Sequence, residues 1–320
     1  MEISGVLSIA AIIFLYAVLS RFLSRRAVTA PMMFIVIGWL IGDDGLGVFD
    51  LTLETGGVRI LAEATLVVVL FADATRIDIG VLRSQFRMPG RLLGIGLPLT
   101  IVVGGLVAAW LIEGISMAEG FLIGAILAPT DAALGKAVIT NKSVPVRVRQ
   151  LLNVESGLND GIALPVVTAL MAAAAVGFVG TSSAHWVQFA IREIGLGILV
   201  GLAVGTAGGW LMHQSWERSW ITGAARQLAT LAIAVIAFTT TELDVIAGNG
   251  FIAAFVAGIA FGVATNMMHE TAADFTEDLG ELATWMTFMF VGIDLVAPAV
   301  AAITWQRILY VVLSLTLIRM

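Results

Sequence analysis

Apolar runs of bilayer length follow one another along almost the whole of this chain, and they leave few architectures open. A helix needs roughly 20 apolar residues to cross a hydrocarbon core about 30 Å thick. Segments near that length lie at about residues 5–22, 28–42, 58–73, 91–112, 117–138, 150–177, 186–212, 224–241, 246–265, 279–298 and 304–320. Between them there is no stretch long and polar enough to fold as a soluble domain. Of the 320 residues, 59% are hydrophobic and 12% charged, against about 45–50% and about 25% in soluble domains. The 34 glycines agree, because small residues let membrane helices approach closely. The expected class is an all-α polytopic membrane protein with about eleven transmembrane helices.

Several functions are excluded at this point. The sequence has no cysteine, which removes disulfide frameworks, thiolate metal sites and cysteine nucleophiles. It has no Lys/Arg run of the kind that binds nucleic acid. His185, His213 and His269 lie far apart, each near a polar break, and read as interfacial residues. Trp110, Trp186 and Trp305 are placed as interface anchors. The first apolar run follows Met1-Glu2 without a basic segment, so it reads as a retained span and not as a cleaved signal peptide. The last run stops at Arg319-Met320 with no polar tail, as a fragment of a longer protein would.

Charge asymmetry sets the expected orientation. Arg21, Arg25 and Arg26 fall in the first inter-span loop; Arg76, Arg83, Arg87 and Arg91 in the third; Lys136, Lys142, Arg147 and Arg149 in the fifth; Arg218 and Arg226 in the seventh. The second, fourth and eighth loops are acidic. The positive-inside rule then puts the odd-numbered loops in the cytoplasm and the N-terminus outside. Residues 266–281 break the pattern with five acidic side chains, although acidic residues weigh little in this rule.

Ionisable groups at bilayer depth are costly unless paired or hydrated, so each marks a functional site by default. Two clusters qualify. Ala128-Pro129-Thr130-Asp131 lies in the fifth run, with Asp131 about 16 Å along the helix from Gly120. Pro129 has no N–H to donate and is expected to break the helix there, exposing carbonyl oxygens. Glu155-Ser156-Gly157-Leu158-Asn159-Asp160 lies in the sixth run, with Asp160 about 15 Å from its start. Ser156 and Asp160 are four apart and share one helix face, as Glu155 and Asn159 share the next. Carboxylate, hydroxyl and carbonyl oxygens are the hard ligands an alkali cation accepts in place of water. The seventh run carries Gly197, Gly201, Gly205 and Gly209, a stripe expected to pack against another helix of the same chain.

These residues resemble a known family. Ala128-Pro129-Thr130-Asp131, followed by Val154-Glu155-Ser156-Gly157-Leu158-Asn159-Asp160-Gly161, is similar to the paired motifs of the NhaP-like sodium/proton antiporters of the cation:proton antiporter superfamily. Leu70-Phe71-Ala72-Asp73 with Arg76-Ile77-Asp78, and the ninth-run stretch from Gly250 to Gly258, extend the likeness over most of the chain. The resemblance implies an inverted-repeat fold of thirteen spans in which broken helices cross at the midplane, two of those spans lying beyond this chain. Residues 1–89 and 178–303 would supply scaffold and dimer-type helices, and residues 90–177 and 304–320 the ion-binding core. Asp160 would bind a cation (Na⁺, or K⁺ or Li⁺) and a proton in turn, helped by Thr130, Asp131 and Ser156. Asn159 before Asp160 implies electroneutral exchange. Glu155 would pair with an arginine of the eleventh span, for which Arg319 is the candidate, and Asp73 would support the site. No cofactor is implied. The expected partners are the two transported ions, lipid and a second copy in a homodimer, and the expected setting is a bacterial inner membrane.

Two positions depart from the family pattern: Ala132 stands where proline often follows the Thr-Asp pair, and Ala72-Asp73 where glutamate often follows the third-span phenylalanine. Other functions remain to be weighed beside antiport. A sodium-coupled symporter of an organic anion would need a further cation, and no mid-span lysine is present. An intramembrane aspartyl protease would use two aspartates as a dyad, but its Gly-x-Gly-Asp pattern is absent. A non-transporting membrane fragment is the third.

Overall fold

The computed structural model describes residues 3–24, 26, 28–43, 45–47, 56–77, 79–80, 87–129, 144–176, 183–265 and 270–318. Among them are eleven helices that follow the apolar runs: α1 (Ile3–Ser24), α2 (Ala30–Ile41), α3 (Gly56–Thr75), α4 (87–111), α5 (Met117–Leu127), α6 (Val146–Val176), α7 (Ser183–Glu217), α8 (Gly223–Thr241), α9 (Gly250–Ala264), α10 (Glu270–Ala301) and α11 (305–318). Within the described residues, four stretches are long and apolar enough to span a membrane by themselves, in α4, α7, α8 and α10. Six more are apolar but only 10–17 residues long. Helix α5 stops at Leu127, ahead of the bend at Ala128-Pro129 where the proline break was expected.

Two helices widen into π turns. In α4 the turn covers Leu92–Gly96, just ahead of Pro98, whose missing N–H deprives the Gly94 carbonyl of its regular partner. In α11 it covers Ser314–Ile318, where the Thr316 hydroxyl donates to the Val312 carbonyl at 2.6 Å. Trp110 and Trp305, near helix ends, are 83% and 66% exposed, as lipid-interface anchors should be.

The helices fall into two compact units. The first comprises residues 1–66 and 278–303. Its core joins Ile9, Tyr16, Phe34, Ile41, Val58, Met289, Phe290 and Ile293. Tyr16 stands edge-on to Phe34 and to Trp285, with centroids 5.2 Å and 4.7 Å away, while Phe34 and Trp285 stack at 5.4 Å. Helices α2 and α10 cross where Gly38 meets Gly292, each leaving room for the other's backbone: a Cβ on either would lie 3.0 Å from the other's Cα. Thr65 and Thr287 share a hydrogen bond of 3.1 Å that ties α3 to α10.

The second unit comprises residues 67–277 and 304–320, and α9 lies at its core. One face of α9 receives the glycine stripe of α7. A Cβ at Gly197, Gly201 or Gly205 would lie 2.9 Å from the Asn249 oxygen, 2.6 Å from the Ala253 oxygen or 2.7 Å from the Ala257 Cα. The stripe is therefore intramolecular packing, as expected. On another face, a Cβ at Gly258 or Gly262 would lie 2.5 Å from the carbonyl oxygen of Phe71 or Thr75 on α3. Helix α8 adds Ile233, Ala234 and Ala237. Elsewhere α4 and α5 approach through Gly105 and Gly124, where a Cβ on Gly124 would lie 2.6 Å from the Gly105 nitrogen. Between lipid-soluble helices this close fit replaces the hydrophobic effect as the source of association.

Candidate ion-binding site

The sixth helix carries four of the residues singled out from the sequence, and its backbone runs unbroken from Val146 to Val176 through Glu155, Ser156, Asn159 and Asp160. Ser156 and Asp160 are thus one helical turn apart, as the spacing predicts. The side chains of Glu155, Ser156 and Asp160, and the whole of Thr130, Asp131 and Arg319, lie outside the described residues. Asn159 is described, and it is buried to 1% exposure.

The neighbours of Asn159 show where this stretch sits. Ala163, one turn on, packs with Leu97 and Ile101 of α4, Ala125 of α5 and Ala128 just beyond it. Gly161 meets α9 instead: a Cβ there would lie 2.6 Å from Phe255 Cδ1. Helix α6 is therefore wedged between the α4–α5 pair and α9 at the level of Asp160, with protein on both sides. A larger residue there would have to displace the Phe255 ring.

Pro165 lies inside α6. Having no N–H, it cannot serve the carbonyl of Gly161, the residue after Asp160. One backbone oxygen, on the residue after Asp160, is thus released from its regular helical partner, and carbonyl oxygens are a type of ligand that cation sites use. This was not read from the sequence, although a proline five residues beyond Asp160 was the available signal.

Asp73 is half-buried near the end of α3, and its carbonyl accepts from the Arg76 N–H at 3.2 Å. The flanking Phe71 and Thr75 meet Gly258 and Gly262 of α9. Arg76 forms an ion pair with Glu277. This pair accounts for one of the acidic residues that broke the charge pattern, since it matches a base of the third loop. At the other basic loops, Arg26 lies over the Phe22 ring, Arg218 over Trp220 and Arg226 over Trp216, at 5.1, 4.8 and 4.6 Å.

A family model described as the transmembrane sodium/hydrogen exchanger matches residues 8–320. The chain belongs to the sodium/hydrogen exchanger family. The chain is similar to a K(+)/H(+) antiporter, NhaP2 of Shewanella oneidensis, at 28% identity over 247 residues, covering 76% of this chain and 41% of that one. It is 30% identical over 201 residues to the sodium, potassium, lithium and rubidium/H(+) antiporter of Bacillus subtilis, covering 62% of this chain and 28% of the relative. The chain thus spans about two fifths or less of these curated relatives. Its fold matches the sodium proton antiporter MjNhaP1 of Methanocaldococcus jannaschii with a TM-score of 0.78, over 98% of this chain and 76% of that one, at 18% identity.

Proposed function

We propose that this chain is the transmembrane part of a secondary active antiporter that exchanges a monovalent cation for protons. Asp160 is the carrier: ionised, it binds the cation, and protonated, it releases it, so that the two loads compete for one carboxylate. The loaded forms carry less net charge than the bare carboxylate and cross the low-dielectric barrier more cheaply. Asp131, Thr130 and Ser156 complete the cation's oxygen shell, Glu155 and Arg319 brace it, and Asn159 beside Asp160 makes the exchange electroneutral. Residues 1–89 and 178–303 act as the scaffold of a homodimer, around which residues 90–177 and 304–320 carry the ion in a bacterial inner membrane, with the N-terminus outside.

The observation that carries this reading is the wedging of α6 at the level of Asp160, within a chain that matches the exchanger family along nearly its whole length. An ionisable residue on a membrane-depth segment packed by protein on two sides is retained for function more than for stability. The cation is left as a class, because the relatives' names divide among K⁺, Na⁺, Li⁺ and Rb⁺.

The test places the complete polypeptide in proteoliposomes, imposes a pH gradient, and adds Na⁺, K⁺ or Li⁺ to collapse it. Wild-type protein is expected to respond and Asp160→Asn to be silent. Full exchange by Asp160→Asn would remove Asp160 from the mechanism.

A further inference from the structure

The ninth-span motif that supported the family resemblance has no role in the ion chemistry above, yet the residue just before it reaches the ion-carrying helix. Asn249 is 5% exposed and caps α9: its Oδ1 accepts from the backbone N–H groups of Phe251 and Ile252, both at 3.1 Å. Two N–H donors demand an oxygen, so the cap fixes which end of the amide is which. The opposite end, Nδ2, donates to Thr168 Oγ1 of α6 at 3.2 Å. That hydroxyl donates its own hydrogen bond to the Pro165 carbonyl at 3.1 Å, which leaves a lone pair for Asn249. Every group in this chain has a defined direction.

Helix α6 therefore meets α9 at two points, Gly161 on Phe255 and Thr168 on Asn249. The points are about 10 Å apart on α6 and about 9 Å apart on α9, as two antiparallel helices in register require. The first contact is steric and adjoins Asp160. The second is polar and lies past Pro165, at the position where α6 can bend. A cavity of about 260 Å³ lies beside this second point, walled by Val166, Ala169 and Leu170 of α6 and by Ile194 and Ile252. The outer half of α6 is thus held by a directional hydrogen bond next to space into which it can shift.

We propose that Asn249 is a positioning residue for the exchange reaction: through Thr168 it holds α6, and with it Asp160, in the arrangement seen here, and the bond opens when α6 moves during the transport cycle. This rests on the antiport reading above. Thr168 is the cleaner place to test it, because the Glu193 carboxylate is also a hydrogen-bond partner of the Asn249 side chain, and an aspartate at 249 would face that charge.

Thr168→Val keeps the shape and removes the hydroxyl. Disfavouring one of two alternating states changes the ratio of the apparent cation KM values on the two membrane faces by the same factor as the equilibrium. The expected change in Thr168→Val is about fivefold, the scale of one neutral hydrogen bond, with Thr168→Ser returning the ratio to wild type. A purely structural tie would lower the amount of folded protein and the maximal rate but leave that ratio alone, and an unchanged ratio overturns the proposal. Wild type and Asp160→Asn run beside it: if wild type does not exchange ions, the antiport reading fails by itself. A second measurement needs no transport. In a cysteine-free background, thiol labelling of Ala169→Cys is expected to quicken about fivefold with Thr168→Val and to revert with Thr168→Ser. Equal labelling rates overturn the proposal.

Discussion

Gly161 of α6 lies against the ring of Phe255 on α9, so closely that a single methyl group at position 161 would sit 2.6 Å from Phe255 Cδ1. The residue before Gly161 is the proposed ion carrier, so this contact sets how near α9 that carrier is held. Gly161→Ala is expected to destabilise the protein by about 1–3 kcal/mol, the usual range for overpacking, and to reduce exchange. Phe255→Leu added to Gly161→Ala should recover much of both. Thermal stability in detergent followed by fluorescence gives the first quantity, and non-additivity of the pair shows that the two positions share one contact.

The α7 stripe predicts opposite outcomes for two glycines of one helix. Gly201→Ala meets the Ala253 carbonyl oxygen at 2.6 Å, whereas nothing lies within 4 Å of a Cβ at Gly195. Gly201→Ala should lower the melting temperature. Gly195→Ala should leave it unchanged or raise it, since alanine adds up to about 1 kcal/mol of helix propensity.

The Arg76–Glu277 pair is exposed, with side chains 48% and 36% accessible. Glu277→Gln is therefore expected to change stability by no more than about 1 kcal/mol. The remaining effect should fade as salt is raised through the range where the Debye length falls to about 3 Å. A larger or salt-resistant loss would show that the pair does more than tie two helix ends.

Exchange should depend on pH as a bell. In acid, protons displace the cation from Asp160, and in base the proton that must load the return step becomes scarce. A rate in proteoliposomes that kept rising from about pH 6 to about pH 10 would contradict competition for one carboxylate.

Much of this molecule is legible in its sequence. The helix order follows from the apolar runs, and the stop of α5 at Leu127 follows from Pro129. The α7 stripe announced a close neighbour, but not that the neighbour is α9 or that α9 also receives Phe71 and Thr75 of α3. The reason is physical. Around a helix in lipid, the face turned to protein and the face turned to acyl chains are both apolar, so hydropathy does not distinguish Ala253, fully buried, from Phe14, which is 67% exposed. The acidic stretch after residue 269 was read as loop, yet α10 begins at Glu270 and places Glu277 opposite Arg76. Pairing across 201 residues of sequence leaves no local trace. The bond from Asn249 to Thr168 escaped for the same reason, although an asparagine directly ahead of an apolar run is a recognisable helix start.

At 15 residues, α9 is about 22 Å long, short of the ~30 Å hydrocarbon layer. At least one of its ends therefore lies below the water surface, where a bare N–H has nothing else to bond with. Its first turn brings its own acceptors: Glu242 Oε1 takes the Gly250 N–H at 2.9 Å, and Asn249 takes the next two. One of those acceptors, Glu242, is the residue that caps the C-terminus of α8, directly after Thr241. The hairpin of α8 and α9 thus carries with it the acceptors for the first turn of α9, Glu242 from one helix end and Asn249 from the other.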